Sequence, residues 1–181
     1  MKQFIIYIFL VAIILAGTSC NKSKKKNSGL HNNPLIGEWE IKEIHWKTKD
    51  TTYSIRDAQP GLLIISQNKY SIIWTPINDA RKPFEQLSKP TDDEILEGFR
   101  SIVFNAGKYW ITDTSLITQA EIAKVPGFEG GRQFFSYILK NDLLSLTMYD
   151  ETYPDGKKPE WAGKFQTEFV LKKVKFTKKS L

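Results

Sequence analysis

Sulfur and imidazole are scarce in this 181-residue chain, which has one cysteine, Cys20, and two histidines, His31 and His45. A lone cysteine excludes an internal disulfide, so any fold must hold by packing alone. With His31 in a polar N-terminal stretch, one folded histidine cannot supply two ligands to a zinc ion. There is no Gly-x-Ser-x-Gly elbow, no phosphate-binding glycine loop and no Cys/His cluster at metal-ligand spacing. No catalytic residue, metal or cofactor is therefore assigned. The one long apolar run, Phe4–Ala16, has 13 residues, short of the roughly 20 that span a bilayer as a helix.

A nucleic-acid role is excluded by where the charge lies. The net charge is +6, but residues 1–33 carry five lysines and no acid. From Pro34 onward 21 basic residues face 20 acidic ones, and Lys172, Lys173, Lys175, Lys178 and Lys179 crowd the last ten positions. The body is slightly acidic and offers no basic face for phosphates. Aromatic residues, in contrast, are plentiful: five Trp, seven Tyr and eleven Phe. Large rings bury much area each and suit a core without staples.

The N-terminus is organised as a targeting segment. Met1-Lys2 gives a positive start, Phe4–Ala16 an apolar stretch and Gly17-Thr18-Ser19 small residues, after which comes Cys20. This order resembles a bacterial lipoprotein precursor, although Gly17 stands where that pattern usually has Leu. The resemblance implies that residues 1–19 are removed and that Cys20 is lipidated as the first mature residue. It implies a membrane partner reached through that lipid, in the envelope of a Gram-negative bacterium, at the outer membrane facing the periplasm. Ordinary secretion and a retained anchor are the alternatives. Residues 20–33 read as a flexible basic tether, in which Lys24-Lys25-Lys26 can also attract anionic headgroups. Residues 175–181 read as a basic tail.

Between them, 34–174 reads as one mainly β domain. Gly37–Lys47, Leu62–Ser66, Lys69–Thr75, Lys108–Thr112, Ser115–Lys124, Arg132–Lys140, Leu143–Asp150 and Lys164–Lys173 are the expected strands. Gln67-Asn68, Asp113-Thr114 and Asn141-Asp142 are the expected hairpin turns. Thr91 with Glu94 forms a capping-box signature, and Ile95, Leu96, Phe99, Ile102 and Val103 follow at helical spacing up to Gly107. A helix of about 13 residues, 91–104, is thus expected between the third and fourth strands. Eight antiparallel strands in sequence suggest an up-and-down barrel, since closure removes both open edges.

The ordered motifs resemble the bacterial lipocalin-like domain family. They are Leu35-Ile36-Gly37-Glu38-Trp39, Gln59-Pro60-Gly61-Leu62-Leu63, Arg81-Lys82-Pro83-Phe84, Thr91–Glu94, Gly107-Lys108-Tyr109 and Gly131-Arg132-Gln133-Phe134. The resemblance marks Gly37 and Trp39 as structural signatures and implies an eight-stranded calycin-type barrel. Lipocalins place an arginine from the last strand over that tryptophan; only Lys172 and Lys173 are on offer here.

Several groups admit two readings. Trp46, Trp74, Tyr109, Trp110, Phe134, Tyr137 and Trp161 either pack the core or partly line an apolar pocket. Arg132 shares a face with Phe134, Ser136 and Ile138; if that face is interior, it needs an acid such as Glu121 or a ligand anion. Trp74, Tyr109, Arg132, Phe134 and Tyr137 are the candidate ligand contacts for a small lipophilic molecule. Asp92, Asp93, Glu94 and Glu97 are explained by helix capping, and Asp150-Glu151 with Asp155 by a solvated turn, ahead of calcium. The rival functions are a small hydrolase or isomerase using His45 and Arg132, and a module docking a glycan or envelope partner through Trp110 or Trp161.

Overall fold

A computed structural model describes residues 33–175; the expected signal segment, Cys20, most of the expected tether and the end of the expected tail lie outside them. The strands are β1 (Gly37–Lys47), β2 (Thr52–Ile55), β3 (Leu62–Ile65), β4 (Tyr70–Trp74), β5 (Val103–Ile111), β6 (Ser115–Ala123), β7 (Arg132–Lys140), β8 (Leu143–Thr152) and β9 (Gln166–Lys173), with α1 (Asp92–Arg100) between β4 and β5. Every pairing is antiparallel, in the order β2-β1-β3-β4-β5-β6-β7-β8-β9, and β9 pairs back to β1. The expected barrel is therefore present and closed.

It has eight positions although it has nine strands. β2 pairs with Ile44–Lys47 and β3 with Gly37–Glu40, so together they fill a single place beside β1. The chain between them swings out and returns, held by bonds from Ala58 N to Lys42 O and Ile41 N to Gly61 O, both 3.0 Å. Across this break β1 bulges at Lys42, where its register with β9 shifts. The extra residue lets Ile41 and Ile44, three apart, both turn inward and be buried.

The short β2 was not expected, so the helix follows the fourth strand and not the third. Its start is as read: Thr91 Oγ1 accepts from Glu94 N at 3.3 Å, and Glu94 Oε2 accepts from Thr91 N at 2.7 Å. Its end is earlier, at Arg100. Val103, expected in the helix, instead opens β5 opposite Trp74. Gly107, expected as a helix stop, sits inside β5 at a second bulge. A Cβ there would lie 2.0 Å from Gln119 O and 2.7 Å from Glu121 N, so only glycine fits the close strand approach. The turns at Gln67-Asn68, Asp113-Thr114 and Asn141-Asp142 fall where expected, closed by bonds such as Ser66 N to Lys69 O and Thr112 N to Ser115 O, each 2.9 Å.

Alternation sorts each strand into an inner and an outer face. Leu35, Trp39, Ile41, Leu63, Ile65, Leu116, Leu144, Leu146, Phe169 and Leu171 are buried in one core. The three tight hairpins and the segment before β1 gather at one end of the barrel. At the other lie the 48–51 turn and the longer connections 75–102, 124–131 and 153–165.

Candidate functional site

The hairpin end is sealed. Leu35 is fully buried, and its carbonyl accepts from Trp39 Nε1 at 2.8 Å. The Tyr109 hydroxyl donates to Ser66 O at 2.8 Å and accepts from Asn33 Nδ2 at 2.8 Å. The Tyr137 hydroxyl donates to Thr112 O at 2.9 Å. Two of the five expected ligand contacts, Tyr109 and Tyr137, are thus latches at the sealed end.

Arg132 and Phe134 are on the outer face of β7. Register decides this: buried Thr118 faces Gln133 and buried Leu116 faces Phe135, so Arg132 and Phe134 point the other way. Arg132 does not pair with Glu121, whose carboxylate takes Lys69 and Lys108 instead. Its guanidinium lies 5.9 Å from the centroid of the Trp110 ring, which is 48% exposed. Only Trp74 points inward at the loop end, edge-on to Phe169 at 5.0 Å and 6.2 Å from Trp46. The five residues do not converge on one site.

Five other polar side chains do converge, on the inner faces of five neighbouring strands. The Tyr70 hydroxyl (β4) donates to Asn105 Oδ1 (β5) at 2.6 Å. Asn105 Nδ2 donates to Gln133 Oε1 (β7) at 3.3 Å, and Gln133 Nε2 donates to Glu151 Oε2 (β8) at 2.7 Å. Trp161, from the 153–165 connection, stands beside that carboxylate and favours its charged form. Thr118 (β6), 2% exposed, faces Tyr70 closely enough to ease ionisation of the phenol, yet its own Oγ1 makes no hydrogen bond. Burial pushes the Tyr70 hydroxyl up to about 12 and raises Glu151 above the usual carboxylate range.

The chain of donors runs through the interior toward the end that the longer loops surround. Trp46, Trp74, Met148, Gln133 and Glu151 are all partly exposed there, whereas the core below them is fully buried. Sequence reading placed Asp150 and Glu151 in a solvated turn. In fact β8 runs through Thr152, and the pair splits across it. Asp150 faces out to Lys158 Nζ at 2.7 Å, and Glu151 faces in. The available signal was a polar residue at inward positions of successive strands, visible only once register is known.

The hydrolase constellation is not assembled. His45 lies on the outer face of β1 and Arg132 on that of β7, with the two strands β8 and β9 between them. His45 Nδ1 is 2.8 Å from Ser54 Oγ and Nε2 is 3.1 Å from Glu43 Oε2. The backbone there is paired on both edges, by β2 and by β9, so its amides are not free to hold an oxyanion. Among the described residues no group of three or more His, Cys, Asp or Glu can hold a metal. A separate groove of about 930 Å³ runs outside the barrel past Glu40, Leu62, Ile73, Arg81 and Ile102.

The fold and this site define a closed antiparallel barrel with tight hairpins at one end and, toward the other, a buried polar chain that surfaces at the partly exposed Gln133 and Glu151 near Trp46 and Trp74. No model of a known protein family matches the chain, and no curated protein matches it.

Proposed function

We propose that the protein is a lipid-anchored, lipocalin-like barrel that takes a small, mostly apolar ligand at its loop end. The observation that carries this is the contrast within one interior. Most of the interior is filled with buried apolar side chains, whereas toward the loop end a polar chain reaches the partly exposed Gln133 and Glu151 beside the partly exposed Trp46 and Trp74. Such a mixture of apolar wall and few placed polar groups suits orientation of one small molecule. The anchor rests on the sequence around Cys20, which also supports placement at the outer membrane facing the periplasm.

Two experiments test the reading. Titration of tryptophan fluorescence with small lipophilic compounds should give saturable changes, lost when Trp74→Ala removes a wall ring. Absence of any saturable response across such a series would overturn ligand binding. Metabolic labelling with palmitate should mark the full-length protein and not Cys20→Ala; equal labelling, or none, would remove the anchor. A docking role for the outer face is the second reading, favoured by the half-exposed Trp110 under Arg132. Retained glycan binding in Trp110→Ala would end it.

A further inference from the structure

We propose that Glu151 receives the ammonium group of a small aromatic or aliphatic amine, whose apolar part lies against the rings of the loop end. This rests on the reading of the barrel as a ligand site and names the class of ligand.

Three observations carry it. First, the donors of the interior chain all point one way, from Tyr70 through Asn105 and Gln133 to Glu151. Aligned dipoles of this kind place their positive ends toward the carboxylate and partly offset the burial that favours its neutral acid. Second, that charge has no basic partner: none of the ion pairs among the described residues includes Glu151. The neighbouring charge is another acid, Asp150, itself taken by Lys158 on the outer side. A half-buried carboxylate that is supplied with donors but left without a counter-ion is suited to a cation brought from outside. Third, a cluster of rings stands at the same end, Trp46 against Trp74 at 6.2 Å and Trp161 stacked on Phe165 at 5.3 Å, and aromatic rings are the partners against which organic ammonium groups rest. An anionic ligand would meet Glu151 as a like charge. A neutral one would leave the carboxylate uncompensated.

The test uses the full-length protein in phosphatidylcholine vesicles and isothermal titration near neutral pH with three ligands of one size: phenethylamine, phenethyl alcohol and phenylacetate. The amine should bind at least about tenfold tighter than the alcohol, the scale of one charge-assisted hydrogen bond, and phenylacetate should bind weakest. Glu151→Gln should bring the amine down to the level of the alcohol without changing the alcohol, and Glu151→Asp should keep the preference. Should Glu151→Gln not fold, the wild-type series and Glu151→Asp decide. If alcohol or acid binds as well as the amine, or if Glu151→Gln keeps the preference, the role of Glu151 falls while the barrel remains a ligand site. If none of the three binds, the role of Glu151 falls, and the barrel reading is decided by the lipophilic series above.

Discussion

Lys173 carries its ammonium 5.1 Å from the centroid of the Trp39 ring, so the last strand covers the signature tryptophan of the first with a lysine. Gly37 makes this possible. Its φ is +140°, and a Cβ there would lie 3.2 Å from Lys173 Cε, so the bare glycine leaves the lysine stem its path over the indole. The same indole donates to Leu35 O, which ties the segment before β1 to the seam between β1 and β9. Packing and not charge should dominate this arrangement. Trp39→Ala is expected to cost about 3–5 kcal/mol, against about 0.5–1 kcal/mol for Lys173→Met, which keeps the stem and removes the cation. Urea unfolding of the two variants checks the ratio; equal losses would mean that the cation carries the contact.

Gly107 should tolerate no side chain. The Cβ of Gly107→Ala meets backbone atoms of β6, which cannot rotate away as a side chain would. A loss of about 3 kcal/mol is expected, the upper end for overpacking. Thermal unfolding measures it, and a change under about 0.5 kcal/mol, within the ordinary surface range, would show that the bulge can open.

Thr118 is buried with an unsatisfied hydroxyl. Thr118→Val replaces that hydroxyl with a methyl of similar size, so it should leave stability unchanged or raise it by up to about 1 kcal/mol. A clear loss in chemical denaturation would mean that the hydroxyl is satisfied in solution, by water or by Tyr70.

Glu151 sets a pH dependence whose sign follows from its raised value. Its burial, the main cause, favours the neutral acid in the folded state; Asp150 adds to this, whereas Gln133 and Trp161 oppose it. The folded carboxyl therefore holds its proton more tightly than the unfolded one, and stability falls as pH rises from the unfolded carboxyl value through the folded one. Glu151→Gln cannot ionise, so its melting temperature should pull ahead of wild type across that interval and stay ahead above it. Melting curves over a pH series that keep a constant gap would contradict this.

How legible all this was in the chain depended on local contrast. The three hairpin turns and the Thr91 capping box are punctuated by residues with one conformational meaning, and they stand where expected. Thr52–Ile55 offers only four residues with two of them exposed, too short to show a period. Ile102 and Val103 continue a helical spacing by chance, although the helix ends at Arg100 and Val103 already opens β5. β7 is apolar on both faces, with Phe134 and Ile138 outside and Phe135, Tyr137 and Leu139 inside, so alternation alone could not say which way Arg132 points. The polar interior chain was hidden for a related reason. Its members are separated by 35, 28 and 18 positions and become neighbours only through strand register.

The seam between β1 and β9 also has a kinetic side. One edge of the first strand finds its mate only after the ninth has been made, so the ring cannot shut until nearly the whole domain is out. Such a distant pairing slows folding and leaves two sticky margins exposed in the meantime. Damage to β9 should therefore show first as aggregation during synthesis, before any loss in the finished protein is felt.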